Sequence, residues 1–185
     1  VEHPAVMGTV KYLEKRGARV TYLDVDREGM IDLNDLRNAI SPDTILITVM
    51  YANNETGTIF PIKEIGKIAK EHEILFHTDA VQAAGKLPLN VDELGVDLLT
   101  VSGHKLYAPK GIGALYVRKG VRLDPVIHGG HQERERRAGT ENVVGIVAMG
   151  VATELAHRNL EAESARLLKL RDRLHKGIVE RIEDV

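Results

Sequence analysis

Four short polar segments of this sequence carry side chains that could do chemistry together. They lie at residues 2–4, 51–57, 77–82 and 102–105. The last three come directly after apolar runs of the kind that form buried strands. In an open α/β sheet, ligands bind outside the carboxyl ends of the strands, so these polar groups are expected to face one crevice.

Each segment taken alone has an ordinary structural explanation. The Asn-Asn-Glu-Thr-Gly string at 53–57 is typical of a turn, because Asn and Gly tolerate positive φ. Asp79 is suited to capping the segment after it, and His104 and Lys105 are compatible with a solvated surface. The combination is more specific. A carboxylate, a lysine, a hydroxyl, imidazoles and amides at successive strand ends are the groups that a pyridoxal phosphate site requires.

The chemistry of this cofactor suggests a role for each of these types of group. Lys105 is the candidate amine for covalent bonding to the cofactor aldehyde. Asp79 is the candidate carboxylate that keeps the ring nitrogen protonated, which makes the ring an electron sink. Ser102 and His104 can donate hydrogen bonds to the phosphate, and the flat imidazole of His3 can stack on the ring and shuttle protons.

The elements that must position these residues alternate between helix and strand. The pattern predicts helices that begin at Pro4, after the N-cap Asp32, and near residue 61, together with a long helical segment from Asn142 onward in which a break or bend is expected. A β-rich stretch is predicted at 19–25, and strands at 45–50, 74–78, 98–101 and 113–118. Continuous apolar runs favour strands covered on both faces, so we predict an α/β fold with a mostly parallel, or mixed, sheet flanked by helices.

Composition argues against several classes of protein. The 25 Lys and Arg against 27 Asp and Glu leave a net charge of −2, so no nucleic-acid partner is expected. No apolar run reaches the roughly 18 residues of a membrane span, and no signal-peptide pattern is visible, so we expect no membrane association and a cytoplasmic location. The chain has no Cys, which excludes a thiol nucleophile within it.

Several strings, in the same order along most of the chain, resemble one family. They are Glu-His-Pro-Ala-Val at 2–6, Asn-Asn-Glu-Thr-Gly at 53–57, His-Thr-Asp-Ala-Val-Gln at 77–82, Ser-Gly-His-Lys at 102–105, Pro-Lys-Gly-Ile-Gly at 109–113, His-Gly-Gly-His-Gln-Glu-Arg at 128–134 and Ala-Gly-Thr-Glu-Asn at 138–142. On these strings the chain resembles the cysteine desulfurases, which are fold type I pyridoxal phosphate enzymes within the class V aminotransferases.

The resemblance implies roles for named residues. Lys105 and His3 are the implied catalytic residues, the first bonded to the cofactor and the second stacked on its ring. The implied cofactor ligands are Asp79 for the ring nitrogen, Asn54 and Gln82 for the ring hydroxyl, Ser102 and His104 for the phosphate, and Thr140 for the phosphate of a neighbouring subunit. A homodimer with shared sites is therefore expected, with no metal.

The resemblance also implies a reaction. Cysteine desulfurases remove sulfur from L-cysteine, leave L-alanine, and store the sulfur as a persulfide on an enzyme cysteine. An iron–sulfur scaffold or another sulfur-acceptor protein is the implied partner.

Two departures from the family pattern qualify the resemblance. His131 follows Gly129-Gly130 where the family has a third glycine, which adds bulk near the expected subunit boundary. The family's persulfide cysteine and substrate-carboxylate arginine lie outside this chain. We therefore expect a chain truncated at both ends, with 1–145 forming the central part of the large cofactor domain and 146–185 leading toward a small C-terminal domain that is absent.

Three alternatives remain open at this point. A selenocysteine lyase or another class V aminotransferase would share the lysine, the aspartate and the phosphate ligands. A metal hydrolase would use His77, Asp79, His128 and His131, whose spacings can place ligands on one ion. A non-catalytic homologue or scaffold would be consistent with the absence of Cys.

Overall fold

The computed structural model describes residues 1–183. The helices are α1 (Pro4–Glu14), α2 (Leu33–Ala39), α3 (Ile62–Glu71), α4 (Val91–Leu94), the short turn α5 (Gln132–Glu135) and α6 (Val143–Val179). The strands are β1 (Leu46–Thr48), β2 (Leu75–Asp79), β3 (Leu98–Ser102) and β4 (Gly113–Val117), and a 3-10 turn at Gly103–Leu106 follows β3 directly.

These strands form a sheet in the order β1-β2-β3-β4. The pairings β1–β2 and β2–β3 are parallel, and β4 returns antiparallel to β3. A mixed sheet with flanking helices confirms the predicted fold class. Because the parallel strands end at one edge of the sheet, the residues that follow them are brought together there.

The main core lies between the sheet and α3. The spacing of Ile62, Ile65 and Ile68 puts their side chains on one face of α3, and all three are almost fully buried. They belong to the same apolar cluster as Phe76 of β2 and Leu99 of β3. Full burial of each such side chain stabilises the fold by about 1.5–3 kcal/mol, so this packing fixes the sheet that carries the strand ends.

The prediction of β structure at 19–25 is wrong, because the structure assigns no strand to these residues. A β-forming composition favours a pleated surface only when a neighbouring strand pairs with it. Tyr22 instead donates a 2.6 Å hydrogen bond to Glu14 at the end of α1. The prediction of a helix capped by Asp32 is confirmed, since its side chain accepts from the Asn34 amide.

Of the break or bend expected in the last helical segment, the break is absent from the described residues. Helix α6 is a single helix of 37 residues, about 55 Å long at 1.5 Å per residue. It contains no proline, and ion pairs one turn apart, such as Glu154 with Arg158, support its exposed surface. Of the predicted segment 146–185, the last two residues lie outside the described range.

Within residues 1–183, none of the helices is both long enough and apolar enough to span a bilayer.

Candidate functional site

Asp79 and Ser102 are the last residues of β2 and β3 and lie at the same edge of the sheet. The ladder continues just past β1 and β2, because Tyr51 N donates to Asp79 O over 2.8 Å and Ala80 N donates to Thr100 O over 3.0 Å. The residues that follow β1, β2 and β3 therefore lie at the same edge of the sheet, which these hydrogen bonds hold in place.

Lys105 lies on the 3-10 turn that begins immediately after β3, with its side chain exposed. The turn is closed by two backbone hydrogen bonds, from Gly103 N to Ile112 O and from Ala108 N to Gly103 O. An added Cβ on Gly103 would lie only 2.7 Å from Ile112 Cγ2. The turn is thus packed too closely for a side chain at 103, and this packing holds the lysine at the strand end.

Ser102 and His104 form a polar pair beside this lysine. Ser102 Oγ lies 2.8 Å from His104 Nδ1, within hydrogen-bond distance. A hydroxyl and an imidazole held together on an exposed turn are a suitable pair of donors for an anionic oxygen.

Asp79 is nearly buried, with 8% of its surface exposed. Its Oδ1 accepts a 2.9 Å hydrogen bond from the Val81 amide, as expected for a residue that caps the following segment. Among the described residues, no side chain or amide donates to the second oxygen, Oδ2. The carboxylate is therefore held by one oxygen while the other remains able to bind a cationic group.

Glu2 brings His3 to this edge of the sheet. Its Oε1 accepts a 2.5 Å hydrogen bond from the Met50 amide just after β1, and Asn53 Nδ2 donates to Val1 O over 2.8 Å. These bonds fasten the first residues to the end of β1. His3 caps α1 by accepting from the Ala5 amide with Nδ1, which leaves Nε2 as the outer nitrogen of an exposed ring.

The second carboxyl oxygen of Glu2, Oε2, is buried and has no hydrogen-bond partner among the described residues. Burial raises the pKa of Glu2 above its ordinary value, with a smaller contribution from the nearby negative charge of Asp79, while the Met50 amide opposes the shift. Burial and the nearby charge of Asp79 therefore both favour the protonated form of Glu2.

Gln82 follows Asp79 and contacts a second lysine. Lys86 Nζ donates to Gln82 O over 3.1 Å and to Gln82 Oε1 over 3.3 Å. Partial desolvation and, to a smaller extent, the positive charge of Lys105 lower the pKa of Lys86. The Lys86 contact holds the amide oxygen of Gln82, and within residues 1–183 the amide NH2 donates to no other group.

Helix α6 packs against this region. Ser164 Oγ donates to Lys86 O over 3.3 Å, and a Cβ on Gly85 would contact both Leu106 of the lysine turn and Ala156 of α6. The segment 146–185, which was predicted to lead away from the cofactor region, therefore also packs against it.

Two predicted ligands, Asn54 and Thr140, have exposed side chains. Asn54 is exposed in a turn that Asn53 organises, by accepting hydrogen bonds from the Glu55 and Thr56 amides. Thr140 is exposed in the loop between α5 and α6. Within the described range, no hydrogen bond joins either side chain to the strand-end residues, so their roles stay predictions.

Sequence reasoning gave no role in the site to Glu2 or Lys86 and weighed His77 only as a metal ligand. The alternation of side chains along β2 puts His77 on the same face as Asp79, and Lys86 lies one helical turn after Gln82. Those spacings were the available signals. The buried oxygen of Glu2 had no sequence signal, because it depends on how residue 2 meets the end of β1.

The arrangement needed by the metal-hydrolase alternative is not found. Both ring nitrogens of His77 are within hydrogen-bond distance of threonine hydroxyls, and His131 is paired with Glu135 at 3.0 Å. The part of the chain that the structure describes contains no group of three or more His, Cys, Asp or Glu side chains placed to hold one ion.

The donor set fits pyridoxal phosphate. Asp79 offers a nearly buried carboxylate oxygen to a cationic ring nitrogen, Ser102 and His104 offer donors to a phosphate, and Lys105 offers an amine. Asp79 ends β2, whereas Ser102, His104 and Lys105 lie at the end of the neighbouring strand β3, so these groups share one edge of the sheet.

Comparison with known proteins identifies the family. The model of the family described as "Aminotransferase class-V" matches residues 1–185. The chain belongs to the aminotransferase class-V family. A cysteine desulfurase IscS of Dictyoglomus turgidum is 58% identical over 185 residues, which are all of this chain and 47% of that protein. A cysteine desulfurase IscS of Methanosarcina thermophila is 61% identical over 179 residues, which are 97% of this chain and 44% of that protein.

Solved structures agree with this assignment. A NifS-like protein superposes with a TM-score of 0.94 at 44% identity, covering 97% of this chain and 50% of the other. A structure titled "SspA in complex with cysteine" superposes with a TM-score of 0.81 at 49% identity, covering 83% of this chain and 45% of the other. These findings confirm the predicted resemblance. The chain spans about half the length of the curated relatives it matches.

Proposed function

We propose that this chain forms the cofactor-binding part of a pyridoxal phosphate-dependent cysteine desulfurase. The observation that carries the proposal is that Asp79 ends β2, Lys105 follows the adjacent strand β3, and Glu2, next to His3, bonds to the Met50 amide just after β1. The similarity to proteins named cysteine desulfurase supports it, as does the similarity to SspA, whose structure is titled as a complex with cysteine. The proposed reaction takes sulfur from L-cysteine and releases L-alanine.

When bound, pyridoxal phosphate supplies an aldehyde that reacts with amines and a ring that withdraws electrons from the substrate α-carbon. Asp79 would hold the proton on the ring nitrogen, and the closed turn would present the Lys105 amine to the aldehyde. Ser102 and His104 would bind the phosphate, and the free amide NH2 of Gln82 would donate to the ring hydroxyl.

His3 is suited to stacking on the ring and to moving a proton. Its Nδ1 is occupied by the Ala5 amide, which leaves Nε2 as the nitrogen that can exchange a proton with the substrate. Because Glu2 fastens this segment to the end of β1, the ring is confined near the strand ends before any ligand binds.

The remaining parts of the proposal concern the whole protein. These 185 residues contain no cysteine, so the thiol that accepts the sulfur must come from elsewhere in the protein. We also propose a homodimer in which Thr140 reaches the phosphate of the partner's site, a cytoplasmic location, and transfer of the sulfur to an acceptor protein. Thr140 is exposed, as a residue that reaches another subunit would have to be.

Covalent trapping tests the proposal. Pyridoxal phosphate is added to the purified protein, reduced with borohydride, and the modified peptide is located by mass spectrometry. We expect one adduct, on Lys105, which is lost in Lys105→Ala and kept in Lys110→Ala, a matched change at an exposed lysine further along the same loop. Adducts scattered over surface lysines, or retained in Lys105→Ala, would contradict the assignment.

The reaction itself is tested on the full-length protein by measuring alanine released from L-cysteine and, in parallel, from L-selenocysteine. Turnover of cysteine, with or without turnover of selenocysteine, supports the desulfurase. Turnover of selenocysteine alone would establish the lyase alternative.

A further inference from the structure

His77 bridges three parallel strands at the level just below Asp79. Its Nδ1 lies 2.8 Å from Thr48 Oγ1 of β1, and its Nε2 lies 2.9 Å from Thr100 Oγ1 of β3. Side chains alternate along a strand, so His77 and Asp79 lie on the same face of β2. An imidazole held at both nitrogens cannot turn, and it links the ends of all three parallel strands.

The surroundings of this ring favour its neutral form. Burial lowers the pKa of His77, and the negative charge of Asp79 opposes that shift to a smaller extent. The flanking strands face the ring with threonine hydroxyls, which carry no charge, so Asp79 is the charged group that acts on it. Each hydroxyl can donate or accept, and a neutral imidazole with one N–H and one bare nitrogen satisfies both contacts.

The neutrality of His77 matters because Asp79 lies two residues further along the same strand. In the β2–β3 register, Thr100 is the direct partner of Asp79. A protonated His77 would place a positive charge two residues from the Asp79 carboxylate and compete for it with any bound cation. A neutral ring gives the same rigidity without that competition.

We propose that His77 is a positioning residue, held between Thr48 and Thr100 so that it fixes the end of β2 and leaves the Asp79 carboxylate free for a cationic ligand. The inference rests on the proposed function, in which that cation is the ring nitrogen of pyridoxal phosphate. It adds a supporting residue to the site and gives the two threonines a role beyond strand packing.

The first test uses the cofactor-free protein and therefore does not depend on the proposed function. Nitrogen-15 NMR of the imidazoles reports whether His77 is neutral and which nitrogen carries the proton. We expect His77 to lose its proton at a lower pH than a free imidazole, whose pKa is about 6.5. Thr100→Val should change the His77 ring shifts, and Thr100→Ser should restore them. A ring that titrates at or above the pH of a free imidazole, or ring shifts unchanged in Thr100→Val, would overturn the inference.

The second test measures the dissociation constant of pyridoxal phosphate at pH 7.5. His77→Gln should weaken binding about tenfold, whereas His72→Gln, at an exposed position after α3, should not change it. A His77→Gln protein that is folded and binds like the wild type would overturn the inference. Wild-type protein that binds no cofactor would refute the proposed function instead, and the NMR result would still decide the state of His77.

Discussion

Replacing Gly103 with alanine should damage both the stability of the protein and the site. The new Cβ would lie 2.7 Å from Ile112 Cγ2, 3.0 Å from Ile112 O and 3.2 Å from Ala108 Cβ. The methyl of Ile112 can move, but its carbonyl oxygen accepts the hydrogen bond that closes the turn. Overpacking of this kind costs about 1–3 kcal/mol, which for a chain of this size lowers Tm by about 2–4 °C per kcal/mol.

The same substitution should displace Lys105, because Gly103 N and Gly103 O form the two bonds that close its turn. We expect the borohydride-trapped adduct on Lys105 to fall together with the free energy of unfolding measured in urea. Gly150→Ala is the control, since a Cβ there meets nothing within 4 Å and alanine in a helix is favoured over glycine by about 0.5–1 kcal/mol. If Gly103→Ala were as stable as the control, tight packing of this turn would be the wrong explanation for its geometry.

Three further predictions concern the strand ends. Asp79→Asn should leave the fold intact, because the amide oxygen can still accept from Val81 N. The variant should lose pyridoxal phosphate on dialysis faster than the wild type. Equal retention of the cofactor would argue against pairing of Asp79 with the ring nitrogen. Glu2→Gln should make stability less sensitive to pH. Because the pKa of Glu2 is raised in the folded state, this state holds more protons than the unfolded state just above pH 4.5, and wild-type stability falls as the pH rises through this window. Urea titrations that show parallel pH profiles for the two proteins would contradict the assignment. Thr78→Val should lower the free energy of unfolding by about 1–3 kcal/mol, because the buried Thr78 hydroxyl donates to Val49 O over 2.8 Å and that carbonyl would lose a partner. The control Thr9→Val, on the exposed helix α1, should lower it by less. Equal losses of stability would show that burial of the bond is unimportant.

Much of the fold was accessible from local patterns. The apolar runs identified β1 to β4, and Pro4 and the N-cap Asp32 marked the starts of α1 and α2. One error arose where a long-range partner decides the outcome, because residues 19–25 have a β-forming composition but pair with no strand among the described residues. The other arose from length, because α6 is longer than an ordinary helix and contains no proline.

Part of the candidate site could also be predicted from local patterns in the sequence. Lys105, Asp79 and the Ser102–His104 pair are placed by their position after a strand, which the sequence shows directly. The supporting contacts join residues far apart in the chain. Glu2 meets Met50, and His77 meets Thr48 and Thr100, through the parallel pairing of strands, and no local pattern specifies which strands become neighbours.

The sequence by itself determined the types of chemical group available, their places after the strands, and a resemblance that the family match confirmed. Residue identity and local periodicity are sufficient for that, because they fix hydrogen-bonding capacity and the direction of side chains along each element. The tertiary structure alone decided which carboxyl oxygen is buried without a partner among the described residues, which imidazole is contacted at both ring nitrogens, and how closely the lysine turn is packed. Those properties depend on solvent exclusion and on contacts between distant segments, which exist only after the sheet has assembled.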